Sequence, residues 1–89
     1  MQNSYVMKKD NPTPLLTVLR SLTVDEQHDL ADMAGTTRNY LYQLASCDRK
    51  PRLNLGMKIG AATRVMNKRT EGRCPVLSVQ ELGQMCATA

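Results

Sequence analysis

The chain has 89 residues, with 12 Lys or Arg against 8 Asp or Glu and a formal net charge of +4. That length suits one small domain and is too short for two independent cores. No Trp, no Phe and only three Tyr argue against a stacking platform for single-stranded nucleic acid, and no apolar run approaches membrane-spanning length. Cys47, Cys74 and Cys86 are odd in number and lack paired spacing; with no recognisable signal peptide, they point to a reduced, cytoplasmic protein.

Residues 1–12 are polar and read as a flexible arm, with Lys8 and Lys9 available to phosphate. Pro12-Thr13-Pro14 then punctuates the chain, and proline fits a first helical turn because its missing N–H has no partner there. Leu15, Leu16, Val18, Leu19 and Leu22 follow with helical spacing, which predicts helix one over 14–22. Thr23 and Glu26 form a capping-box pattern at the head of helix two. Asp25, Glu26, Asp29 and Asp32 include carboxylates that favour the positive end of that helix; as an acid or metal site they lack a second ligand group at useful spacing. His28, the single histidine, sits in the first turn and reads as a solvated side chain or a phosphate neighbour.

Leu30, Ala31 and Ala34 fall on one face of helix two, and Leu41 and Leu44 on one face of the next. Gly35 stands where helix two must stop, in the left-handed conformation that glycine takes without a Cβ clash. Thr36 and Thr37 offer hydroxyls to the free amides of helix three, placed at about 37–45. Ala31 is small enough to let that helix approach. Two short helices meeting at such a turn meet the requirements of a helix-turn-helix, whose second helix enters the DNA major groove. The outward residues of helix three are Thr37, Arg38, Asn39, Tyr42 and Gln43. Arg pairs bidentately with guanine, and Asn or Gln with adenine. An ordinary polar helix face has the same composition, so the preceding turn carries the argument.

Gln27, Leu30, Ala31, Gly35, Thr36, Thr37, Leu41 and Leu44 together resemble the helix-turn-helix signature of the phage Cro and lambda-type repressor family, a likeness that extends more loosely through 23–66. The resemblance implies base reading from Thr37, Arg38, Asn39 and Gln43, with Tyr42 against a thymine methyl or a phosphate. It also implies that Gln27 clamps a phosphate. Ser46-Cys47-Asp48 departs from the family, in which glycine commonly ends the helix. Arg49-Lys50-Pro51-Arg52 is a basic loop suited to phosphates, and Arg49, Lys50 and Arg52 join Gln27 and Thr36 as expected phosphate contacts. Charge supports this placement: segment 23–35 carries −4, whereas 36–73 carries +7.

Residues 53–60 alternate apolar with polar or glycine, as a strand does. Leu55, Ile59, Ala62, Val65 and Met66 also form a longer helical stripe, and Asn54 is a good N-cap, so helix four is placed at 54–67. Gly56 and Gly60 weaken it by roughly 1 kcal/mol each unless another element packs closely there. A turn over 67–73 and a short extended piece from Cys74 lead to a second capping box, Ser78 to Glu81, and to helix five at 79–87. Val65, Met66, Val76, Leu77, Leu82 and Met85, with Val79, exceed what such a core needs; some of them are expected to form an isologous homodimer interface.

The expectation is an all-α, five-helix, lambda-repressor-like bundle: an arm at 1–12, a DNA-binding domain at 13–69, and an extension at 70–89 that packs on the core or pairs the dimer. It would bind a palindromic double-stranded DNA operator as a homodimer, with no catalytic residue, cofactor, metal or small-molecule substrate. The alternative is a module that keeps the fold but binds another protein, as an antitoxin or an anti-repressor partner does.

Overall fold

The computed structural model describes residues 12–85. The expected arm, Cys86 and the last turn expected of helix five lie outside them. Thr13 opens the first helix, its Oγ1 accepting the Leu16 amide at 3.2 Å while Pro14 takes a position that needs no donor. Five helices follow: α1 (Pro14–Arg20), α2 (Val24–Ala34), α3 (Arg38–Ala45), α4 (Leu53–Arg69) and α5 (Val79–Gln84). The described chain is all-α, and residues 53–60 lie wholly within α4.

Each apolar stripe turns into one core. Leu15, Val18 and Leu19 of α1 meet Leu30, Ala31 and Ala34 of α2, Leu41 and Leu44 of α3, and Ile59, Ala62 and Met66 of α4. Helix α4 packs chiefly on α2 and α5, and α1 packs on α3. Both capping boxes form: Thr23 with Glu26, and Ser78 with Glu81. Arg52 caps α4 without a side-chain bond, so the helix opens at Leu53 and Asn54 is not its N-cap. Helix α1 ends at Arg20, two residues before the expected limit.

Three helices end in the same way. A residue with positive φ reverses the chain while two amides return to carbonyls of the last turn. Gly35 (φ 75°) and Thr36 do this for α2, Cys47 (φ 63°) and Asp48 for α3, and Glu71 (φ 55°) and Gly72 for α4. The left-handed turn at the end of α3 therefore forms on a cysteine rather than on a glycine. Cys47 is disulfide-bonded, which corrects the expectation of three reduced thiols; among the described cysteines, Cys74 is free and buried. Burial pushes the Cys74 thiol up from its ordinary pKa, leaving it a poor nucleophile.

The segment after α4 is strapped back along it. Buried Thr63 donates to the Gly60 carbonyl at 2.7 Å and accepts the Leu77 amide at 3.0 Å, while Asn67 donates to the Cys74 carbonyl at 2.7 Å. These bonds seat Cys74, Leu77 and Leu82 in the core. Met66, Leu77 and Leu82 are therefore core residues of the single chain rather than a surface open to a partner, and Met85 packs partly buried against the same core. A Cβ on Gly60 would stand 3.1 Å from the Leu77 carbonyl oxygen, so the helical glycine exists for close approach. Gly83 has open space around it. Gly60→Ala is expected to lower stability by about 1 kcal/mol or more despite alanine's helix propensity, and Gly83→Ala to raise it by up to about 0.5–1 kcal/mol. Paired denaturant melts check this, and equal effects would contradict it.

Two ion pairs brace α2: Arg69 at the end of α4 to Asp29 at 3.2 Å, and Arg73 in the turn beyond it to Glu26 at 2.8 Å. Arg73 also donates to the Ser21 carbonyl at 2.6 Å. The Arg73 hydrogen bond, with help from the Thr23 amide, holds Glu26 below its ordinary pKa of 4.5. A lowered folded-state pKa contributes stability above the unfolded value that is lost as pH falls through the folded one. The melting temperature is therefore expected to fall less steeply below pH 4.5 in Glu26→Gln than in the unaltered protein. Parallel curves from pH 6 to 3 would show that the pair contributes nothing.

Candidate nucleic-acid interface

Helix α3 is held at both ends. At its C-terminus Thr13 Oγ1 donates to the Ala45 carbonyl at 2.8 Å, so the residue that caps α1 also closes α3. At its N-terminus the Thr37 hydroxyl accepts the Tyr40 amide at 3.1 Å, and Arg38 is tied back to Gln27. Leu41 and Leu44 are buried, and partly buried Tyr40 packs on the core. This anchoring turns one face of α3 outward.

Gln27 is the centre of the anchoring. It is only 5% exposed. Its Nε2 donates to the Leu19 carbonyl at 2.7 Å, an oxygen shared with the Leu22 amide, and to the Leu22 carbonyl at 3.3 Å just past the end of α1. Its Oε1 accepts from Arg38 Nε at 2.6 Å. Both amide protons are thus committed inward, and the residue expected to clamp a phosphate is a buried joint between α1, α2 and α3. It reaches the surface only through Arg38. That guanidinium lies 5.1 Å from the centre of the Tyr42 ring and keeps Nη1 and Nη2 beyond the Gln27 bond.

The remaining expected residues fall around this face. Thr37 and Asn39 are exposed, while Thr36, Tyr42 and Gln43 are half-buried. The Thr36 amide closes α2 on the Ala31 carbonyl at 2.9 Å. Arg49, Lys50 and Arg52 are exposed on the loop that leaves α3, and Arg49 Nε donates to Gln43 Oε1 at 3.0 Å. Arg38, Asn39, Tyr42 and Gln43 thus share a surface with a basic loop beside it. Acidic Glu26 and Asp29 are engaged by Arg73 and Arg69. Sequence reasoning missed the Gln27–Arg38 and Arg49–Gln43 pairs and Thr13's double duty. Side-chain reach across a turn has no periodic signature.

No family model, curated protein or solved structure matches the chain. No described helix is long and apolar enough to cross a membrane.

Replacing Gln27 by Leu would remove the side-chain donor from the Leu19 and Leu22 carbonyls and the acceptor from Arg38 Nε. The expected loss is about 1–3 kcal/mol, against at most about 0.5 kcal/mol for Gln43→Leu on the outer face. Chemical denaturation of both variants checks this; similar losses would deny Gln27 its role.

Proposed function

We propose that this chain is a sequence-specific, double-stranded DNA-binding regulator. Helices α2 and α3 act as a helix-turn-helix, and α3 lies in the major groove. The carrying observation is the anchored outer face of α3. Arg38 is fixed through Nε by a buried glutamine, with its Nη groups left over, beside exposed Arg49, Lys50 and Arg52. Donors preset in this way suit the acceptor-bearing edge of a base pair, and a flanking basic loop suits phosphates. The Cro and lambda-type likeness fits this reading and extends it to a repressor of phage or prophage character. It would act by occupying its operator, without catalysis or a cofactor.

Selection from random duplexes at near-physiological salt tests the reading. An enriched inverted repeat is the expected result; salt-sensitive retention without enrichment would contradict it. On the selected site, Arg38→Ala should relax preference at one base pair by roughly 1–3 kcal/mol. Lys50→Ala should weaken all duplexes alike and flatten the salt dependence.

A palindromic site calls for a pair of chains. With Met66, Leu77 and Leu82 in the core, the expected interface residues Val76 and Val79 stay exposed, and a row of apolar surface runs along α4. Leu53, Met57 and Val65 are 69%, 53% and 45% exposed, spaced with Ala61 every four residues. Beside them Met33, Lys58, Ala61, Ala62 and Val65 line a groove of about 320 Å³. Exposed Lys58, Arg64 and Lys68 border it on α4. The homodimer is assigned to this face. Met57→Asp and Val65→Asp are expected to shift sedimentation to the monomer while leaving the monomer's fold intact. Unchanged dimerisation would contradict the assignment, as would an unaltered protein that stays monomeric on its duplex.

A further inference from the structure

We propose that Arg49, beyond supplying charge to phosphates, is a positioning residue that sets which base Gln43 reads and directs it to guanine; this rests on the DNA-binding reading above. Arg49 Nε donates to Gln43 Oε1 at 3.0 Å. A guanidinium carries donors only, so chemistry decides which end of the carboxamide faces it: the oxygen. The two ends of Gln43 are thereby made unequal before any DNA arrives.

That inequality bears on readout. A glutamine pairs with adenine through both ends, its oxygen accepting from N6 and its nitrogen donating to N7. Guanine presents N7 and O6, two acceptors and no donor. With the Gln43 oxygen engaged by Arg49, the Nε2 protons are the part of the amide left to a base. An adenine N6 amino group approaching the second lone pair would bring its protons towards a cation, whereas guanine's acceptors are drawn to one. Arg38 points the same way. Its Nε is taken by Gln27 at 2.6 Å, and its remaining Nη donors match guanine's acceptors.

The fold brings Arg49 to this place. After α3 the chain reverses through the left-handed residue Cys47 (φ 63°), and the Asp48 amide returns to the Gln43 carbonyl at 3.0 Å. Gln43 is thus gripped twice: on its backbone oxygen by Asp48 and on its side-chain oxygen by Arg49.

The test is selection from random duplexes with the unaltered protein, Gln43→Ala, Arg49→Ala and Lys50→Ala, all at one salt concentration. The base pair that loses its preference in Gln43→Ala marks the position Gln43 reads. There the unaltered protein is expected to favour guanine over adenine by about fivefold or more. Arg49→Ala is expected to bring the ratio to parity or reverse it, and Lys50→Ala to keep guanine while binding every duplex more weakly. Adenine preferred by the unaltered protein, or guanine preference unaltered in Arg49→Ala, would overturn the proposal while leaving DNA recognition standing. Failure of the unaltered protein to enrich any sequence would overturn the DNA-binding reading and this proposal with it.

Discussion

The structure depends on one buried carboxamide. Gln27 sits among apolar side chains, where an unmet polar group costs about 1–3 kcal/mol, so its three hydrogen bonds are obligatory. Two tie down the end of α1 through the Leu19 and Leu22 carbonyls; the third fixes Arg38 at the head of α3. Three helices are thus oriented by one side chain. Apolar packing alone would leave α3 free to roll by small amounts, because Leu41 and Leu44 specify a buried stripe and no exact rotation. The Gln27–Arg38 bond and the Thr13–Ala45 bond at the other end remove that freedom.

The remainder of the fold supports this arrangement from outside. Helix α4 underlies α2, and the strap from Cys74 to Ser78 covers α4 so closely that a Cβ at position 60 would stand 3.1 Å from the Leu77 carbonyl oxygen. Leu77 and Leu82 close the core, leaving the apolar exterior of α4 as a separate surface. The face proposed to meet bases and the face proposed to meet a second chain are then different parts of one small body. An operator-binding dimer needs that separation.

Much of this was legible in the residues. Gly35 marks a left-handed stop, Thr23 with Glu26 and Ser78 with Glu81 mark helix starts, and the stripes of α1 to α4 follow helical spacing; all of these depend on neighbours within a few positions. Periodicity says which face of a helix is apolar but not what covers it. Met66, Leu77 and Leu82 therefore read as surplus apolar residues suited to a dimer, because the strap that buries them has no period of its own. Gln27 was expected at the surface as a phosphate clamp, whereas its protons serve carbonyls eight and five residues back. The Arg49–Gln43 pair was hidden because the turn at Cys47 forms without the glycine that would have announced it.

The central claim is that the outer face of α3 and the loop after it meet DNA. Amide and arginine side-chain NMR resonances, followed as a selected duplex is added, test it most directly. Shifts are expected at Thr36–Gln43 and Asp48–Arg52, with a large change at Arg38 Nε–H and the Gln27 side-chain amide protons little moved. Changes confined to Met57–Val65 of α4, with α3 silent, would contradict it and point to a partner on the other face.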